Sequence, residues 1–369
     1  MLNISTAPAA VAASKAGGFG FIGAGFNLSK LESELMTAKD LLLQRDDSVA
    51  GDKAPAPAGP KSKKGYSFYD DGGVLPIGVG FQNWGSDLRL ALVALEKYPV
   101  AAVWLYAPKQ LQDLVPWARQ IRQIFNKKTR VWVQVGSVTD AISVAKMTVK
   151  PDVLVLQGSD AGGHLLKQGA GVISLVPEAI DALTKQGMRI PVLAAGGICD
   201  ERGVASAMML GASGVVMGTR FLASKEIKIA KGYQEEILRV RDGGQSTVRT
   251  GLYDELRGIE GWPPVYDARA IRNQSYEDDQ AGMPREQNQR LYAETGRYKG
   301  DAGWGPGGRM TTYAGTGVGL VTQVKSVEEI ITEVTRAATE VIQSTLVRLN
   351  AHRFDEDQDD IVSKKPKLG

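Results

Sequence analysis

Seven short apolar runs alternate with longer amphipathic stretches, and this rhythm restricts the chain more than any other feature. The runs are 18–24 "GFGFIGA", 75–81 "LPIGVGF", 101–107 "AAVWLYA", 130–136 "RVWVQVG", 153–158 "VLVLQG", 191–197 "PVLAAGG" and 214–222 "GVVMGTRFL". Near-continuous apolar strands suit a parallel sheet whose faces are covered. The stretches 28–46, 84–98, 109–127, 137–148, 174–187 and 200–211 carry helical spacing between them. Strand, helix, strand over such distances predicts a parallel α/β fold.

A closed (β/α)8 TIM barrel needs eight strands, and seven are legible. The first element, "STAPAAVAASKAGG", reads as a helix capped by Ser5 or Thr6, where the barrel rhythm calls for a preceding strand. The expectation is a TIM barrel N-terminally truncated by one strand. Residues 48–65, rich in Pro, Ala and Lys, read as a flexible insertion within a barrel core spanning 1–223. The rhythm then stops: 224–310, with a helix at 226–240 and loops rich in Gly, Trp and Pro, reads as an inserted cap. Residues 311–350 form a return segment with a closing helix at 326–350, and 351–369 a disordered tail.

Composition narrows the class. Forty-four basic against 41 acidic residues leave a net charge of +3, too balanced to indicate a nucleic-acid partner. The single cysteine, Cys199, permits no internal disulfide and suits a reducing, cytoplasmic setting. No run reaches the roughly 18 apolar residues of a membrane span. Neither histidine sits in a metal-binding spacing, and no G-x-S-x-G elbow supports a serine hydrolase.

Two glycine-ended strands suggest a phosphate site. "AAGGI" places Gly196 and Gly197 where backbone N–H groups can meet phosphate oxygens; "MGTR" repeats the arrangement with Gly218 and the Thr219 hydroxyl. Arg220 is open to two readings, a phosphate partner or a surface charge. No G-x-G-x-x-G opens a helix after the first strand, and "GTGVG" at 315–319 lacks a βαβ setting, so a dinucleotide fold is not indicated.

The run "VLVLQGSDAGGH" ends on the same face. Gln157 can hydrogen-bond a ring edge or a ribityl hydroxyl, "AGG" lets the chain pass beneath a flat ligand, and His164 follows at the rim. An imidazole with a pKa of ~6.5 suits abstraction of a carbon-bound proton, although a loop histidine without a role fits the same residues.

Together, "VLVLQGSDAGGH", "PVLAAGGICDERGVASAMMLGASGVVMGTRFLAS" and the opening "MLNISTAPAAVAASKAGGFGFIGAG" resemble the nitronate monooxygenases, formerly 2-nitropropane dioxygenases, and their fungal members in particular. The resemblance extends to "TYAGTGVGLV" and implies a flavoprotein, a TIM barrel holding FMN non-covalently and oxidising alkyl nitronates with molecular oxygen to a carbonyl compound and nitrite. Carried over by position, His164 is the catalytic base; Gln157 and Gly162 contact the flavin; and Gly197 with Val216, Met217, Gly218 and Thr219 holds its phosphate. Met1, which alone remains of an "APM"-type turn beneath the flavin, and Asn3 complete the cofactor contacts. Gly80 stands where bacterial members often carry asparagine, a place Gln82 or Asn83 can take, and Asp160 stands where glutamate is frequent. Two alternatives share the barrel: an NAD(P)H-dependent flavin reductase of enoyl or quinone substrates, and a truncated barrel without catalysis.

Overall fold

The computed structural model describes residues 4–44, 73–126 and 128–363, with side chains through residue 350. Met1, Asn3 and the insertion at 48–65 lie outside the described residues, as do the side chains of the predicted tail.

The elements run α1 (Ala7–Lys15), β1 (Phe21–Gly25), α2 (Leu31–Leu43), β2 (Leu75–Gln82), α3 (Leu88–Lys97), β3 (Val100–Tyr106), α4 (Leu114–Phe125), β4 (Arg130–Val135), α5 (Val138–Ala145), β5 (Val153–Gln157), β6 (Gly163–Leu166), α6 (Val172–Lys185), β7 (Val192–Ala195), α7 (Glu201–Met209) and β8 (Gly214–Val216). Then follow α8 (Lys231–Arg239), α9 (Gly243–Ser246), β9 (Thr247–Thr250), α10 (Leu252–Leu256), β10 (Tyr266–Ile271), α11 (Gln274–Gln280), α12 (Arg285–Tyr298) and α13 (Val327–Ser363). Their local causes are ordinary. In α4 the residues Leu114, Trp117, Ala118, Ile121 and Phe125 fall on one buried face, and Asn126 ends the helix in a left-handed conformation at φ 44°. Asp87, Ser137 and Asp200 cap α3, α5 and α7 by accepting backbone N–H bonds.

All seven expected strands pair in parallel, in the order β1-β2-β3-β4-β5-β7-β8, as a curled sheet with helices outside it. Residues alternate between a helix-facing core (Ile22, Val79, Val103, Leu105, Val133, Leu156) and an inner face. Inside, Phe21 meets Trp104 edge-on at 5.0 Å and Phe19 stacks on Trp132 at 5.5 Å. Among the described residues β1 and β8 do not pair with each other, so the sheet has a seam. At that edge the Ser5 carbonyl accepts from the Gly23 N–H at 2.8 Å, and the Ser5 hydroxyl donates to the Phe21 carbonyl at 2.6 Å. Helix α13 packs against both α1 and α7, spanning the seam from outside.

Four details depart from expectation. Thr6 is the N-cap of α1, but neither its hydroxyl nor that of Ser5 caps the helix, because the Glu34 carboxylate accepts from the Ala7 N–H at 2.7 Å. The run 214–222 is a strand only to Val216; a 3-10 turn begins at Thr219. Helix α13 continues to Ser363. Finally, β6 is an additional strand that joins β10 and β9 of the middle segment in an antiparallel sheet.

Candidate active site

Parallel strands deliver their C-terminal ends to one face, and here those ends surround a cavity of about 890 Å3. Gly25, Gln82, Tyr106, Gln157, Ala195 and Val216, the last residues of β1, β2, β3, β5, β7 and β8, all line it. The volume lies in the range of small-molecule and cofactor sites, roughly 300–1,000 Å3. Of the residues singled out in the sequence, His164, Gln157, Gly162, Gly196, Gly197, Val216, Met217, Gly218 and Thr219 all reach this one cavity.

At one side lie the paired glycine turns. Gly196 and Gly197 have φ of +107° and +75°, a backbone that L side chains rarely adopt, and a Cβ on Gly197 would come within 2.8 Å of the Asp160 Cβ. The Thr219 hydroxyl accepts from the Gly315 N–H at 3.0 Å, leaving its own proton to donate. Arg220 matches neither reading: it is buried away from the cavity, and its guanidinium donates to the carbonyls of Ala223 and Gln323. Burial lowers its pKa.

His164 on β6 lines the same cavity. Its carbonyl accepts from the Tyr106 hydroxyl at 2.7 Å and the Gln157 amide at 3.1 Å, and its residue pairs with Ala268 of β10. Gln157 thus spends an amide proton on the backbone of the histidine. The imidazole Nε2 lies 2.7 Å from the Asp254 carboxylate, and the Trp262 ring stacks on it at 3.6 Å with a 4° interplanar angle. Asp254 in turn accepts from the Tyr313 hydroxyl at 3.1 Å, which itself accepts from Arg257 at 3.2 Å. Burial, reinforced by Asp254, pushes the Tyr313 pKa far up, so this hydroxyl keeps its proton.

The glycine before this strand has a cause the sequence did not disclose. A Cβ on Gly162 would come 2.3 Å from the Gly315 nitrogen, because the Ala314–Gly315 backbone crosses there. Thr316 fastens the crossing, its N–H to the Asp160 carbonyl and its hydroxyl to the Asp160 carboxylate, at 3.0 and 3.1 Å. The "GTGVG" segment therefore packs directly behind the loop that leads to His164.

Asp254, Trp262, Tyr313 and Arg257 were missed by sequence reasoning, since they follow no spacing relative to the histidine. Gln82 gave a partial signal. Its Oε1 is buried without a hydrogen-bond partner among the described residues and lines the cavity, as do the equally orphaned indole nitrogens of Trp104 and Trp304. Asn83, also unpaired, is not among the cavity residues. Buried polar atoms without partners call for a ligand or water. With the glycine turns lining the same cavity, they suit a flat heterocycle carrying a phosphate, so the residues present fit FMN.

The chain matches the family profile of nitronate monooxygenases over residues 115–337. It is 44% identical to a nitronate monooxygenase of Metarhizium robertsii over 94% of this chain and 92% of that protein. It is 34% identical to a nitronate monooxygenase of Neurospora crassa over 93% of this chain and 88% of the other. Among solved structures it resembles FabK from Thermotoga maritima, with a TM-score of 0.66 and 23% identity over 94% of this chain and 93% of that one. A nitroalkane oxidase from Streptomyces ansochromogenes gives a TM-score of 0.64 and 19% identity, covering 93% and 94%. At these identities the two structures bear on the fold alone.

Proposed function

Because the chain belongs to the nitronate monooxygenase family, an oxidoreductase family, we propose that it binds FMN non-covalently and oxidises alkyl nitronates with molecular oxygen, giving a carbonyl compound and nitrite. The seven-stranded sheet is read as a TIM barrel with a seam at β1 and β8, and residues 224–310 as its cap. Within it, the glycine turns at 196–197 and 218 with Thr219 would hold the phosphate, and Gln157, Gly162, Gln82 and Trp104 the ring system. Bound there, FMN supplies the electron acceptor for the substrate and the route to oxygen.

One observation carries the assignment. Among the described residues lining this mostly apolar cavity are a histidine and a single guanidinium, Arg257, but no carboxylate. Such a lining favours a small anion, which a nitronate is, and offers a base for the neutral nitroalkane from which it forms. The Trp262 and Tyr313 rings exclude water from one side of His164, which sharpens both electrostatic effects. No helix among the described residues is long and apolar enough to cross a membrane; a cytoplasmic setting is proposed from the single buried cysteine.

The spectrum of the purified chain tests this reading. It is expected to be yellow and to bleach on anaerobic addition of an alkyl nitronate, recovering its colour in air with release of nitrite. Bleaching by NADPH but not by a nitronate would transfer the assignment to a flavin reductase. A colourless chain that takes up no FMN would make it a barrel without catalysis.

A further inference from the structure

The contacts of His164 are unequal on its two ring nitrogens. Nε2 is committed to the Asp254 carboxylate at 2.7 Å, and both side chains are 12% exposed. Nδ1 has no hydrogen-bond partner among the described residues, while the residue itself lines the cavity. A carboxylate accepts and cannot donate, so the nitrogen facing it carries the proton and the other keeps its lone pair. We propose that Asp254 is a positioning residue that fixes His164 as the Nε2–H tautomer and so presents Nδ1 as the base for neutral nitroalkanes.

This rests on the nitronate reading of the site and adds a step before oxidation. The bond between the α-carbon and its hydrogen breaks, the proton goes to Nδ1, and the electron pair is delocalised into the nitro group to give the nitronate. No oxidant is needed for it. The imidazolium that results is a cation held against Asp254, which stabilises it. A nitronate supplied ready-made skips the step.

Asp254 is itself fixed. It sits on α10, separated from His164 by ninety positions, and its second oxygen accepts from Tyr313. The remaining polar groups around the ring are otherwise engaged. Arg257 reaches Asp254 only through the Tyr313 hydroxyl. Tyr106 of β3 donates to the His164 carbonyl. Asp267 of β10 is paired with Arg249 of β9. Tyr266 of β10 has its pKa pushed up to about 12 by burial and stays neutral at working pH. Asp254 is therefore the one carboxylate in hydrogen-bond contact with the imidazole among the described residues.

The chain has only two histidines, His164 and His352, so imidazole nitrogen NMR reads the tautomer directly, with His164→Asn assigning the signal. The expected wild-type spectrum shows Nε2 protonated and Nδ1 bare. In Asp254→Asn the tautomers mix. Tyr313→Phe, which keeps the carboxylate, keeps the Nε2–H tautomer. In the flavin-loaded enzyme, Asp254→Asn lowers kcat/KM for a neutral nitroalkane by roughly a hundredfold or more. Turnover of the preformed nitronate stays within about threefold. A wild-type Nδ1–H tautomer, a tautomer indifferent to Asp254→Asn, or equal losses with both substrates would overturn the proposal. Should Asp254→Asn fail to fold, the wild-type tautomer decides. Because the NMR readout needs no turnover, a chain inert toward nitronates would refute the functional reading separately from the role of Asp254.

Discussion

Cys199 is buried against the cavity wall, and burial, aided by Asp200, pushes its thiol up to about 12. An unfolded thiol titrates near ~8.5. This contribution to stability is therefore complete below the unfolded value and is lost as the pH rises from there toward 12. At pH 8 the native thiol is held almost wholly protonated, and the thiolate is the reactive form. The native chain is expected to ignore Ellman's reagent over minutes at pH 8, and the guanidinium-unfolded chain to react within seconds. Equal rates would place the thiol in solvent. At this scale legibility was uneven. His164 stood out because it follows glycines at a strand end, whereas nothing near Asp254 in "GLYDEL" marks it. A side chain that acts through a partner ninety positions away leaves no local period to detect. Arg220 was equally unreadable, since one of its two backbone acceptors, Gln323, lies 103 positions away.

Among the elements, α13 does the most distant work. Ile330 is 1% exposed, and Ile330, Ile331 and Val334 line the cavity from the outer side of the seam. Removing the Ile330 side chain strips apolar contacts from a helix that also packs on α1 and α7. Ile330→Ala is expected to cost about 2–3 kcal/mol, near the lower end for such truncations because the cavity already adjoins the site. The urea midpoint should fall with an unchanged slope. The seven parallel strands and most helices were legible because apolar runs and helical spacing mark them separately. Strand β6 was not: four residues carry too little pattern, and its pairing depends on β10. The end of β8 was overextended because the apolar run continues into a 3-10 turn after Gly218.

For the molecule as a whole, the cavity draws on every strand of the large sheet, on the middle segment and on both terminal helices. A ligand that fills it should stabilise the entire fold. FMN at a hundred times its Kd is expected to add ~2.7 kcal/mol and to raise Tm, with riboflavin giving a smaller rise because it offers nothing to the glycine turns. Equal rises would remove the phosphate role from residues 196–197 and 218–219. The sheet's curl followed from strand alternation, but its seam and the helix spanning it belong to contacts between opposite ends of the chain. Those contacts also set an order of events during synthesis. Residues of α1 leave the ribosome well before those of α13, yet both line the same cavity. Until translation reaches α13 the cavity stands open along that wall, so the complete site can form only after this helix has been made.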